Sequence, residues 1–215
     1  MSDLLDALEH ILAEHRRIGS PVPDYLRPGA ATVHVERAVR GALGLEPPDE
    51  LVELFTWHDG IDNDRWAGDS AGTGFARLFG DTHFAPINDC VTAFHEAIEI
   101  DRQAAVYAPG DVDASIWQRS WFPAFTLGWE TWSVECADTA LRGRVYDVYW
   151  HPPIDDPKEP RFLSLTHLVR SVVRRFEADG YWWDPSLRFL QERNEVLEGQ
   201  YRLELAEVQS GLQQR

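Results

Sequence analysis

Lysine is nearly missing from this sequence: of 20 basic residues only Lys158 is lysine, a bias that fits codon usage or a preference for bidentate pairing and to which no function is attached. Cysteine is as scarce. Cys90 and Cys136 stand apart, in no CxxC or Cys/His ligand spacing, which argues against a disulfide framework and a structural zinc site, so both are expected as reduced thiols. No apolar run reaches the roughly 18 residues that span a bilayer. The first residues, Met1, Ser2 and Asp3 before an amphipathic pattern, lack the basic-then-apolar layout of a signal peptide, so a cytoplasmic protein is expected. Positive charge is also in deficit: 20 Lys and Arg against 36 Asp and Glu leave a formal net charge of -16. Phosphate backbones and anionic membrane surfaces would be repelled, so neither nucleic acid nor a membrane is expected as a partner, and a charged protein partner should be basic.

What is present is enough for a core. The chain has 215 residues, an apolar fraction of 44% and nine Trp, which suits one self-folding domain and excludes disorder over most of its length. The charge is unevenly placed. Residues 46–113 hold 15 acidic side chains against three basic ones, Arg65, Arg77 and Arg102, and so carry -12 of the total.

Ser2 can cap a helix with Leu4, Leu8, Ile11 and Leu12 at helical spacing, ended by Gly19, Pro21 and Pro23; this reads as an N-terminal arm over residues 1–30. A second helix is expected from Thr32, with Val35, Val39 and Ala42 on one side and Gly44 as its stop. Pro47 and Pro48 open a short helix carrying Leu51, Leu54 and Phe55, which His58-Asp59-Gly60 closes. Residues 61–74 are polar and glycine-rich and read as a long surface loop holding Trp66; residues 75–79 suggest a short strand. Asn88 is placed to cap a helix bearing Val91, Phe94 and Ile98.

The densest strand signal follows: Trp121-Phe122-Pro123-Ala124-Phe125, then Trp132, Val134 and Cys136 alternating with polar residues, then residues 145–150. These are expected as neighbouring antiparallel strands, with a loop at 138–143 and an exposed excursion at 151–160. Ser164 starts a helix with Leu168, Val172 and Phe176 on one stripe, ending at Gly180. A final helix capped by Asp184-Pro185 sets Leu187, Leu190, Leu197, Tyr201, Leu205 and Val208 on another. The expected fold is α+β: a central, mostly antiparallel sheet flanked by helices. One domain at 31–183 would carry an N-terminal extension at 1–30 and a C-terminal helix at 184–215. Trp121, Phe125, Trp132 and Val134 should share one core with Leu51, Phe55, Leu168 and Val172.

In this order the motifs resemble the SUKH superfamily, which includes yeast glucan-synthesis regulators and bacterial immunity proteins that neutralise toxins. The matching elements are the acidic-apolar run Pro48-Asp49-Glu50-Leu51 continuing through Leu54-Phe55 to Asp59-Gly60, the aromatic-Pro strand at Trp121-Phe122-Pro123-Ala124-Phe125, and Val134-Glu135-Cys136. Gly143-Arg144-Val145 and the Ser-containing helix that opens at Leu163-Ser164-Leu165 complete the series. The resemblance spans residues 35–183. It departs where Glu135 stands for the more usual Asp, and residues 61–74 and the segment beyond 184 have no counterpart. It implies a protein-binding module without catalysis, of the immunity type. The alternatives are a regulatory or scaffold protein of the same fold, and an enzyme whose site is not recognisable in the sequence.

His58, Asp59, Asp62, Asp64 and Asp69 cluster oxygens as a hard cation needs, but the calcium-loop spacing is not met, so a solvated acidic loop is preferred to a metal site and no cofactor is expected. Residues 68–74 contain three glycines but no following Lys-Ser or Lys-Thr, which argues against a phosphate cradle. Cys136, alternating with Trp132 and Val134, should be a buried thiol. Candidate partner contacts are Asp59, Asp62, Asp64, Trp66, Asp69 and Glu135. Trp66, in an acidic loop, suits a binding anchor, or it folds back on the domain. Glu135 suits pairing with an Arg or contact with a partner.

Overall fold

The computed structural model describes residues 2–69, 75–80, 83–107, 117–127, 130–149 and 159–213. Helix α1 (Asp3–Arg17) begins where Ser2 Oγ accepts the Leu5 N–H at 3.3 Å, with Asp3 and Asp6 in its first turn and His15, Arg16 and Arg17 in its last, matching both ends of the helix dipole. It is no loose arm: Leu4, Leu8, Ile11 and Leu12 lie in the main core. A 3-10 turn (Val22–Tyr25) leads to strand β1 (Leu26–Pro28). Helix α2 (Thr32–Leu43) follows and ends on Gly44, whose φ of 72° supplies the left-handed cap. Helix α3 (Asp49–Trp57) starts after Pro48 and passes into strand β2 (His58–Ile61), which pairs antiparallel with β1.

Residues 61–74 are not one loop. Asn63–Asp69 forms helix α4, because the Asp62 carboxylate accepts the Arg65 N–H at 3.0 Å and starts a turn that Trp66 anchors in the core; residues 70–74 lie outside the described ones. Residues 75–79 form no strand either, only an irregular run that buries Ala76, Leu78 and Phe79. Helix α5 (Ile87–Tyr107) starts one residue before the expected Asn88. Its first N–H is held from a distance in sequence, by Asp59 Oδ1 at 2.8 Å.

Strands β3 (Trp121–Leu127), β4 (Glu130–Glu135) and β5 (Val145–Tyr149) form the expected antiparallel sheet in sequential order. Both faces are buried. Phe122, Phe125, Trp132 and Val134 face the main core with Leu51, Leu54 and Phe55 of α3 and with Leu168 and Val172 of helix α6 (Leu165–Glu177). Trp121, expected beside Phe125, lies on the opposite face with Tyr146, Val148, Trp117 and Phe94. The register shift between Pro123 and Phe125 explains this: an extra residue breaks the period of two and turns Trp121 away from Phe125. Helix α6 is capped as expected, Ser164 Oγ accepting the His167 N–H at 3.1 Å. Glu50 completes the cap from α3, taking the Leu165 N–H at 2.8 Å and the Thr166 hydroxyl at 2.7 Å.

The C-terminal segment differs most from expectation. Residues 184–192 belong to a hairpin of β6 (Tyr181–Asp184) and β7 (Phe189–Glu192), and helix α7 (Asn194–Gln213) begins only after it. Asp184 caps a turn and no helix: its Oδ1 accepts the Ser186 N–H at 2.8 Å and the Ser186 hydroxyl at 2.6 Å, and Arg188 closes the turn at a φ of 50°. The expected excursion at 151–160 lies almost wholly outside the described residues, as does Trp150.

Candidate protein-binding face

The predicted aspartates stand on or beside β2 and α4, and most of them act on the chain itself. Asp59 holds the start of α5 and Asp62 the start of α4. Asp69 accepts the Tyr25 hydroxyl at 3.1 Å and lies 3.8 Å from Arg65 Nε, while its backbone carbonyl accepts from Arg188 at 2.9 Å. Only Asp64 and Asp69 are exposed. The backbone here is tightly set: Gly60, at a φ of 77°, lies so close to the entry of α5 that a Cβ on it would fall 2.4 Å from Pro86 N.

Trp66 and Glu135 are corrected as surface contacts. Trp66 is 3% exposed, edge-on to Tyr25 at 5.0 Å and to Trp183 at 6.1 Å, and so clamps α4 between the 3-10 turn and the β6–β7 hairpin. Of the two sequence readings, anchor or fold-back, the second holds; the sequence could not choose because the residues that cover Trp66 lie about 40 positions before it and more than 100 after it. Glu135 is 7% exposed and its Oε1 accepts the Ala137 N–H at 2.8 Å; among the described residues it makes no ion pair with an Arg.

A groove that the sequence did not reveal runs between α5 and the sheet, with a volume of about 260 Å³. Asp89, Thr92, Ala93, Glu96, Ala97 and Ile100 line it from the helix, and Thr126 and Thr131 from β3 and β4. Its cause is side-chain size. Ala93 and Ala97 on the helix meet threonines on the strands, and small groups on both sides leave space. The signal was present as a three-and-four spacing from Asp89 to Ile100, but it marks the shoulder of the helix beside the Phe94 stripe and not the buried stripe itself.

The groove is acidic at its rim. Glu99 is engaged by Arg102 at 2.8 Å and by Gln103 at 2.8 Å, and its carboxyl is held down to about 2 by those hydrogen bonds. Asp89 and Glu96 make no ion pair among the described residues and remain open to a charge from outside. Seven residues of helix place them about 10 Å apart, with the two alanines between. A long basic side chain fits that pattern: its aliphatic stem lies on the alanines while its charged head meets a carboxylate.

The thiols and buried imidazoles belong to the core. Cys136 is 1% exposed, and burial, then Glu135 beside it, pushes the thiol up to about 12. Burial pushes Cys90 up as well. His15 and His83 are held down to about 4 by burial. Among the described residues no group of three or more His, Cys, Asp or Glu is placed to hold a metal ion. No protein-family model matches the chain, and no curated protein matches it. The SUKH resemblance therefore rests on the order of motifs alone.

Proposed function

We propose that this protein is a non-catalytic binding module of the immunity type, which holds and neutralises a basic toxin domain in the cytoplasm. The observation that carries the reading is the groove beside α5, where Asp89 and Glu96, without an ion pair among the described residues, stand over an alanine floor on a segment that carries -12 of the net charge of -16. Such a field speeds encounter with a basic surface, and the groove supplies a seat for a cation once the surfaces meet. The order of SUKH-like motifs supports the same reading, as does the burial of both thiols away from any nucleophilic role. No helix among the described residues is long and apolar enough to cross a membrane.

A photo-crosslinking residue in place of the exposed Thr92 tests this in the source cell. The expected result is one dominant adduct to a domain of high isoelectric point, lost when Asp89 and Glu96 are both changed to Lys. Adducts only to acidic or unrelated proteins, or adduct formation indifferent to the charge reversal, would remove the groove from the mechanism.

A further inference from the structure

Where α7 lies on α6 the contact is polar at its centre, which is the costly way to bury a helix. Glu204 is fully buried there. Its carboxylate accepts from Arg175 Nε at 3.0 Å and Arg175 Nη2 at 2.6 Å, and from the Ser171 hydroxyl, while Arg161 Nη2 stands 3.8 Å away. Among the described side chains of α7, Val208 is the one buried apolar residue. Gly211 lies against Leu163, so close that a Cβ on it would fall 2.6 Å from Leu163 Cδ1, but Leu203 points outward at 60% exposure. Glu207 adds contacts to His167 and Arg174, both at 3.0 Å.

One carboxylate does not use all the donors present. Arg161 lies 3.6 Å over the Tyr201 ring, and its Nη1 is buried without a hydrogen-bond partner among the described residues. Tyr181 is 2% exposed beside the Arg175 guanidinium, and its hydroxyl makes no well-aligned hydrogen bond. Burial holds Arg161 below the usual guanidinium range although Tyr201, Glu204 and Asp147 oppose that shift. Arg175 and the Ser171 hydroxyl thus donate to the Glu204 carboxylate, and the partly buried Arg161 and the buried Tyr181 hydroxyl stand beside them with donors to spare, near Asp147 and Glu192.

We propose that Arg161, Ser171, Arg175 and Tyr181 form an oxyanion site that Glu204 occupies in cis, and that its external ligand is a phosphoryl group that displaces Glu204. A phosphoryl group brings three acceptor oxygens and a charge of about -1.5 to -2 against two oxygens and one charge for Glu204, which suits the surplus of donors. Displacement releases the centre of the α7 contact, so ligand binding and undocking of the helix are coupled. The site is separate from the α5 groove and does not depend on its reading.

The test uses the full chain with Glu204→Ala, titrated by calorimetry with inorganic phosphate and, in parallel, with O-phosphoserine; the comparison tells whether free or esterified phosphate is preferred. Saturable binding is expected, weaker by about tenfold or more in the parent chain, where the occupant must first leave, and lost when Arg175→Met is added. Glu204→Gln, which keeps the Ser171 contact, serves as the second variant should the alanine variant not fold, and it too should bind phosphate more tightly than the parent. Absence of phosphate binding in folded Glu204→Gln, or stronger binding of acetate than of either phosphate, would overturn the proposal and leave an internal ion pair.

Discussion

Acidification should unfold this protein through two buried histidines. His15 is fully buried, with Nδ1 2.9 Å from Ser20 Oγ, Nε2 2.7 Å from the Leu78 carbonyl and its ring 5.3 Å from that of Phe176. His83 is 7% exposed, with Nδ1 3.1 Å from the Ala76 carbonyl. Burial lowers both from 6.5 to about 4. Above pH 6.5 the rings are neutral in both states and their contribution is fully present. As the pH falls from 6.5, the unfolded chain binds protons that the folded chain refuses, so stability declines until about pH 4, where the folded rings also protonate. Each pH unit of that separation is worth about 1.4 kcal/mol, so each histidine removes about 3 kcal/mol by pH 4. The pair removes about 6 kcal/mol, against a typical domain stability of about 5 to 15. Urea unfolding at successive pH values between about 7 and 4.5 should therefore show stability falling by more than about 2 kcal/mol per pH unit at its steepest, and His83→Gln should reduce that slope by about half. A flat profile between pH 6.5 and 5 would refute the reasoning, because a carboxyl group of ordinary acidity ionises mainly below that window.

Trp66→Ala should lower stability by about 3 to 5 kcal/mol in a denaturant titration, as expected for emptying a buried aromatic site; a parent-like midpoint would mean that the ring is not held between Tyr25 and Trp183. Cys90 and Cys136 should react with a thiol reagent only at the rate of unfolding, since burial keeps both protonated. Labelling of the native chain as fast as in denaturant would contradict that and reopen an enzymatic role for Cys136.

Local patterns were legible in the sequence and distant contacts were not. The Ser2 and Ser164 caps, the Gly44 stop and the three central strands follow from residues within a few positions of one another, and the structure has them. The Asp184-Pro185 dipeptide has two uses, helix start and hairpin turn, and the choice fell to the pairing of Tyr181–Asp184 with Phe189–Glu192, which no window over the turn displays. Trp121 was misplaced by one bulge. At the candidate site, the acidic bias of the segment could be counted, but which carboxylates remain free could not: Asp59 and Asp62 are used by helix starts, and the open pair, Asp89 and Glu96, was hidden within a helix read only for its apolar stripe.

The central claim is neutralisation, and the direct measurement is survival of cells that express the basic domain captured through the Thr92 cross-link. The parent chain should restore growth, and a folded Asp89→Lys, Glu96→Lys variant should fail to do so, because it places two cations where the partner's own cation must sit. Equal protection by both chains, or protection by neither, would contradict the account.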